Sequence, residues 1–429
     1  MNGHEWTCLR LLPFYEQAER VMSLIYYKSF GRNTFHFYPI VMSKGRQGMK
    51  LDLPLIGILK EKIRTSRRQG ITENGKPAKA IRFRDFMAAC LYEPEYGYYS
   101  SDKVRVGRSG DFYTSSYIGE AFADCLASRL ARLADEHFGS DSEVEVLDWG
   151  GGTGRLAGQL LSAWEREGAT RWRVSVVDGN PAHRQEAQRG LEQAIEQGKA
   201  CVLSPEEAEA IEWRERNVIL VGNELLDAMP VHRLIRKAGM VREWGVAWDL
   251  RAGRFVSCLL EPDEELLLSM ERDRIRLREG QTCEIGRDAE EWFAARSSSF
   301  GDAIAVFIDY GDESEELSAA HRMNGTLVCY RNHLACDDPY EAPGEQDITA
   351  HVNFTGMRRA GKEAGWEELW YGTQLRFLTD SGLLDGLVPL ANADPFHPNA
   401  RRNRAIRQLL LSDRMSELFK VQIFRRTHE

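Results

Sequence analysis

Three short stretches bring together residue types that can do chemistry. Asp148-Trp149-Gly150-Gly151-Gly152-Thr153-Gly154 follows the apolar run Val144-Glu145-Val146-Leu147. A chain that turns sharply from a strand into a helix needs glycine. Glycine also lets a ligand lie against the backbone, where free N–H groups at the helix start meet an acceptor. Tight turns without any ligand have the same composition, so the loop alone leaves both readings open. Asp178 ends the run Val174-Ser175-Val176-Val177, 24 residues beyond Gly154. A carboxylate at that strand tip can accept hydrogen bonds from both hydroxyls of a ribose. By itself it reads as an acid ahead of a helix begun by Pro181; beside the glycine loop the ribose reading is favoured. The third stretch, Gly222-Asn223-Glu224-Leu225-Leu226-Asp227-Ala228-Met229-Pro230-Val231, follows Val218-Ile219-Leu220-Val221. Polar groups just past the carboxyl end of a central strand face the ligand crevice of an α/β sheet. Asn223 can hydrogen-bond a cofactor, and Glu224 and Asp227 offer carboxylates to a substrate. The plain alternative is a helix start with capping acids.

The elements that must position these stretches alternate in period. Strands are expected at 144–148, Trp172 to Asp178 and Asn217 to Val221, with helices from about Arg155 to Trp164 and from Pro181. Such alternation means right-handed crossovers and a parallel sheet, an α/β class. Further strands are expected at Ala303–Asp309, Gly325–Tyr330 and Leu418–Phe424. Ahead of them lies a helical front over 49–140. It holds a helix from Leu51 to Arg64, a loop with Gly70, Gly75 and Pro77, and a stripe of Phe83, Phe86, Met87, Cys90 and Leu91 at amphipathic-helix spacing. A further helix covers Ile118 to Phe138. Val231–Arg236, Arg242–Trp248 and Arg254–Leu260 read as strands followed by a charged helix over Asp263–Arg278. This stretch, about 231–300, reads as an insertion on the substrate side of a core that runs from 141.

Composition bounds the rest. The 429 residues are 43% hydrophobic with 10 Trp, 18 Phe and 14 Tyr, ample material for a core, which excludes a disordered chain. A net charge of -9 repels a phosphate backbone and disfavours nucleic acid as a partner. No apolar run approaches the ~20 residues that span a bilayer, so no membrane span is expected. The 8 cysteines contain no C-x-x-C pair and read as reduced core thiols of a cytosol-like compartment; a metal site is not expected. Residues 1–48 stand apart. Glu5, Glu16 and Glu19 argue against a transit peptide, and the domain is expected to begin near Met49, leaving 1–48 as an unassigned extension.

The glycine loop and Asp178 suit a dinucleotide or S-adenosylmethionine. A dinucleotide fingerprint wants G-x-G-x-x-G, whereas this chain has an acid followed by G-x-G-x-G, the first motif of class I methyltransferases. An ordered series then resembles the MidA-type protein arginine methyltransferases. It comprises Phe86-Met87 through Leu91-Tyr92 and Gly97-Tyr98-Tyr99; Gly110-Asp111-Phe112-Tyr113-Thr114-Ser115; the glycine loop; Asn223-Glu224-Leu225-Leu226-Asp227-Ala228-Met229-Pro230; Asp309-Tyr310-Gly311; Gly325-Thr326-Leu327; and Gln346-Asp347-Ile348-Thr349-Ala350-His351-Val352-Asn353-Phe354. The likeness covers roughly residues 80 to 425. Ser116-Tyr117 depart from the family's Pro-Glu, Asp148-Trp149-Gly150-Gly151 from its Glu-Leu-Gly-Pro, and Asp178 from its Glu.

The resemblance implies a Rossmann-like seven-stranded class I methyltransferase sheet with a helical N-terminal part and an inserted β/helical segment. It implies S-adenosylmethionine as cofactor, held by Gly110, Asp111, Thr114, Ser115, Asp148, Gly150, Gly152, Gly154, Asp178 and Asn223. Catalysis falls to Glu224 and Asp227, which orient a guanidinium and take its proton, with Asp347 and His351 on the substrate side; His351 reads equally as a structural histidine. The implied substrate is an arginine of a protein such as a respiratory complex I subunit, met in the mitochondrial matrix in a eukaryote and in the cytoplasm otherwise. A homodimer is an open expectation. Three other readings are weighed: a non-catalytic assembly or chaperone protein on the same fold, a small-molecule methyltransferase, and a nicotinamide oxidoreductase, which the loop pattern disfavours.

Overall fold

The computed structural model describes residues 53–100, 120–331, 334–389, 397–411 and 415–427. All belong to the unit Lys50–Glu429. The chain opens with α1 (Pro54–Thr65), β1 (Gln69–Thr72), β2 (Pro77–Arg82) and α2 (Phe83–Tyr92). It continues through α3 (Glu120–His137), β3 (Val144–Trp149), α4 (Arg155–Arg166), β4 (Trp172–Val177), α5 (Pro181–Gly190), β5 (Ala200–Leu203) and β6 (Val218–Asn223). Four strands come next: β7 (His232–Lys237), β8 (Met240–Asp249), β9 (Arg254–Leu260) and β10 (Thr282–Ile285). The rest are β11 (Ala303–Asp312), β12 (Val328–Arg331), β13 (Leu334–Cys336), β14 (Asp347–Thr349), β15 (Val352–Asn353), β16 (Glu367–Thr373) and β17 (Phe419–Arg426).

The main sheet runs β16-β17-β11-β6-β3-β4-β5, with short β15 joining β11 off that path. Strands β11, β6, β3, β4 and β5 are parallel neighbours, and β17 and β16 add antiparallel. Both faces of this sheet are covered, so its central strands are mostly apolar, as buried parallel strands are, with the acids Glu145, Asp148 and Asp309 buried among them. Alternation still sorts the side chains. Val144, Val146, Ile219, Val221, Ile304, Val306 and Ile308 pack on one face with Leu126 and Leu130 of α3 and Leu160 and Trp164 of α4. Leu147, Trp149, Val218, Leu220, Ala305 and Phe307 pack on the other with Phe293, Phe354 and Trp366. From β3 the chain moves outward to β4 and β5 on one side and returns through β6 and β11 on the other. The order reverses between β3 and β6, the place where an open α/β sheet leaves a crevice at the carboxyl ends of its strands.

The second sheet corrects one expectation. Residues 69–82 form a hairpin rather than a loop, and β1 and β2 pair with the strands of the inserted segment. Its order is β10-β7-β8-β2-β1-β9, and β9 pairs back onto β8, so β8, β2, β1 and β9 close into a ring. Gly70 misled because glycine in a strand marks close approach as readily as a turn. A Cβ at Gly70 would stand 2.5 Å from Cys258 Sγ. Gly75, at φ +72, makes the hairpin turn. The charged helix is also shorter than expected, Glu264–Arg272, and Arg274 at φ +58 follows its end.

Candidate active site

The glycine loop leaves β3 with Gly150, Gly152 and Gly154 at φ +75, +56 and +71, conformations that side-chain-bearing residues adopt at a cost. The N–H of Gly150 donates to Val177 O at 2.7 Å, tying the loop to the end of β4. A Cβ at Gly151 would lie 2.7 Å from Asp148 Oδ2, so glycine is needed for the buried acid to sit beneath the loop. Asp178 organises the same corner. Its Oδ2 accepts the N–H of Gly152 at 2.9 Å, its Oδ1 accepts the N–H of Asn180 at 2.8 Å, and His183 Nδ1 stands 3.3 Å from Oδ1. Asn180 in turn caps α5, accepting from Ala182 and His183 ahead of a helix begun by Pro181. Asp148 is 2% exposed, and its Oδ2 is a buried oxygen with no hydrogen-bond partner. Burial, and then the Asp178 charge, pushes its carboxyl up to about 7.

Across the crevice, β6 ends at Asn223, and Glu224 adopts φ +51. A non-glycine residue in that region costs about 1–3 kcal/mol and persists only where its surroundings hold it. The Glu224 N–H donates to Ile308 O at 2.8 Å, and the next three amides, of Leu225, Leu226 and Asp227, donate to Asp309 Oδ2 at 3.1, 2.8 and 3.2 Å. Burial pushes the Asp309 carboxyl up to about 7, against the lowering effect of the Leu226, Tyr310 and Asp227 amides. Asp227, 6% exposed, titrates well above the ordinary carboxylate range, first through burial and then through the neighbouring Asp309, Asp347 and Glu224. The N–H of Ala350 reaches Asp227 O at 3.0 Å and brings the β14–β15 connection onto this turn. Buried Asp347 accepts its neighbour Ile348 N–H at 2.9 Å. The Tyr92 hydroxyl donates to Ala228 O at 3.0 Å, and its ring stacks on Tyr99 with centroids 5.7 Å apart.

One cavity of about 1010 Å³ joins the two sides. Asp148, Gly150, Gly152, Asp178, Asn223, Glu224, Asp227, Asp347 and His351 all line it. Gly154 does not. A Cβ there would meet Leu191 Cδ1 at 3.0 Å and Ala187 Cβ at 3.1 Å, so its task is close packing of α4 against the segment after β4. Gly110, Asp111, Thr114 and Ser115 lie outside the described residues. His351 is pushed down to about 4, by burial first and then by Arg322, and is neutral at ordinary pH; its N–H donates to Thr326 Oγ1. Sequence reasoning did not give roles to the aromatic wall of Tyr92, Tyr99, Tyr310 and Tyr330, nor to Trp292, whose ring meets Trp149 edge-on at 5.5 Å. Tyr92, Tyr99 and Tyr310 stand in stretches already notable as motifs and Tyr330 at the end of an expected strand, but no spacing rule joins residue 92 to residue 330. Among the described residues no cluster of His, Cys, Asp and Glu could hold a metal ion, and no helix is long and apolar enough to cross a membrane.

The geometry has relatives. A crystal structure from Burkholderia thailandensis bound to S-adenosyl-homocysteine superposes with a TM-score of 0.76 at 31% identity, covering 87% of this chain and 92% of that one. A second structure from the same organism gives 0.73 at 32% identity, covering 87% and 91%. The zebrafish (Danio rerio) mitochondrial protein arginine methyltransferase NDUFAF7 is 24% identical over 79% of this chain and 82% of its own. The Caenorhabditis elegans homologue, also named mitochondrial, is 24% identical over 64% and 66%. Residues 125–372, more than half of the chain, match the model of a family described as S-adenosyl-L-methionine-dependent methyltransferases. With a glycine-loop crevice of the right form and this match, the chain belongs to that family and is a methyltransferase that uses S-adenosylmethionine.

Proposed function

We propose that the methyl group goes to a guanidinium nitrogen of an arginine in a protein substrate. The observation that carries this reading is the wall facing the glycine loop, where Glu224, Asp227 and Asp347 share one cavity with Tyr92, Tyr99, Tyr310 and Tyr330. Clustered carboxylates that repel each other gain most from a cation set among them, and aromatic faces favour a flat delocalised cation. The names of the zebrafish and nematode relatives, protein arginine methyltransferases, support the same acceptor.

The glycine-loop wall, with Asn223 at the end of β6, fits the cofactor. Positive-φ glycines leave the loop backbone bare, and Asp148 Oδ2 and Asn223 Oδ1 are buried and lack partners. Asp178 would take the ribose hydroxyls, Asn223 and the loop amides the polar groups, and ionised Asp148 the positive charge of the amino-acid end. When bound, S-adenosylmethionine supplies an electrophilic methyl carbon on a sulfonium.

The chain's own work is positioning and proton management. Carboxylates of Glu224 and Asp227 accept N–H bonds from the guanidinium and turn one nitrogen toward the methyl carbon, so the displacement is aligned before it begins. A guanidinium, with a pKa above ~12, keeps its proton until the new N–C bond forms as the S–C bond breaks, and in this reading Glu224 accepts it then. Asp347 and the tyrosines hold the cation from the far side, and neutral His351 closes that edge. The second sheet, whose strand β7 begins two residues beyond Pro230 of the cavity lining, is the surface we assign to recognition of the protein. Within this reading the substrate is a protein such as a respiratory complex I subunit, and the reaction takes place in the mitochondrial matrix if the cell is eukaryotic.

The decisive experiment incubates the purified chain and a lysate with methyl-labelled S-adenosylmethionine and maps the label by mass spectrometry. Label on an arginine side chain is the expected result; label confined to small molecules or to other side chains would overturn the acceptor.

A further inference from the structure

Asp309 takes no place in the cavity. It is 0% exposed on β11, and its two oxygens receive four backbone N–H groups, three of them from the consecutive residues Leu225, Leu226 and Asp227 on Oδ2 and one from Tyr310 on Oδ1 at 2.8 Å. Successive amides converging on one anion form a nest, and a nest needs a particular backbone course. Here that course begins with left-handed Glu224, whose own N–H is anchored on Ile308 O, the residue preceding Asp309. One short piece of β11 therefore holds four consecutive amides of the turn that carries both acceptor-side carboxylates.

We propose that Asp309 is a positioning residue for methyl transfer, clamping the 225–227 amides so that Glu224 stays left-handed and Glu224 and Asp227 both aim at the acceptor nitrogen. The proposal rests on the acceptor-side reading above for what those two carboxylates do. It does not need that reading for the clamp itself. Asp309 also acts on Asp227 through charge. The groups that face Asp227 are Asp309 from β11, Asp347 from β14, Glu224 from its own turn, and the hydroxyls of Tyr92, Tyr99, Tyr310 and Tyr330. Removing the Asp309 charge takes away one of the three carboxylates that hold the Asp227 proton in place.

The test compares Asp309→Asn, which keeps an acceptor oxygen without the charge, with Asp309→Ala, which keeps neither. Hydrogen exchange is followed at the amides of 225–227, and kcat and KM are measured in the full chain. In Asp309→Ala these amides should exchange about 100-fold faster, since a locally held turn opens without global unfolding. Its kcat should fall about 100-fold, the size expected when reacting groups are misplaced by ~1 Å, with KM for S-adenosylmethionine within about threefold. Asp309→Asn should recover about tenfold of that loss, and the acid limb of its kcat profile should move to lower pH, because Asp227 ionises more easily beside a neutral neighbour.

Asp309→Ala with kcat within about twofold of the native chain, or with native exchange rates at 225–227, would overturn the proposal. Failure of both variants to give a cooperative thermal melt would mark Asp309 as a residue that holds the fold rather than the turn, which also overturns it. If the native chain labels some acceptor other than arginine, the acceptor reading fails while the exchange result still decides the role of Asp309.

Discussion

The two walls of the cavity are built in opposite ways. The wall we assign to the cofactor is local apart from Asn223, which reaches it from the end of β6: Asp148, the glycine loop, Asp178 and Asn180 fall within 33 residues of sequence, 148 to 180, on two adjacent parallel strands. The acceptor wall is assembled from a distance. Tyr92 and Tyr99 come from the front of the chain, Glu224 and Asp227 from the end of β6, Tyr330 from β12 and Asp347 from β14. A local site is held by its own turn. A distributed one needs cross-links, and here they are two single bonds, Tyr92 to Ala228 O and Ala350 to Asp227 O, and the three-amide Asp309 clamp. The lesson is that substitutions on the first wall should change what is bound, and on the second how well it reacts.

The sharpest way to break that division is Glu224→Gln. Its kcat should fall about 1,000-fold, within the range for loss of a positioned proton acceptor, while calorimetry finds S-adenosylmethionine affinity within about threefold. An affinity loss matching the rate loss would erase the distinction. Next comes Asp178→Ala on the other wall. Losing two charge-assisted bonds to a ribose, and the ties to Gly152 and Asn180, should weaken S-adenosylmethionine about 100-fold, read by the same titration.

Asp148 gives a pH signature. With its carboxyl near 7, the acid is neutral below that pH and ionised above it, and a cationic ligand prefers the ionised form. S-adenosylmethionine affinity should therefore rise toward about tenfold per pH unit below 7 and flatten above it, and Asp148→Asn should remove the slope. The smallest effect belongs to Tyr92→Phe. Losing one neutral hydrogen bond of about 1 kcal/mol should raise the acceptor's KM about fivefold and leave S-adenosylmethionine binding unchanged.

The same contrast explains what was legible in the sequence. The strands 144–149, 172–177 and 218–223 and the glycine loop between the first strand and its helix announce themselves, because short-range period and turn chemistry encode them. Asp178 and Asp148 could be placed from their distance to that loop. Glu224 and Asp227 followed as polar residues past a strand end. Asp309 was visible only as part of a strand and a motif, since its partners lie more than 80 residues away and no pattern in the chain joins an acid to the amides of another turn. Gly154 read as part of the ligand cradle, yet its neighbours Ala187 and Leu191 give it a packing role that only the fold could reveal. The hairpin at 69–82 hid for a similar reason: its strands are four and six residues long and find their partners at 245–259.

The ring made by β8, β2, β1 and β9 bears on how a partner can be recognised. A sheet with a vacant border invites an extended peptide to add itself as one more strand, binding through main-chain groups with little regard for sequence. Within this ring each strand already has a neighbour on both sides. A protein approaching these four strands meets their side chains and connecting turns instead of an unfilled ladder, so its selection there falls to side-chain shape and charge.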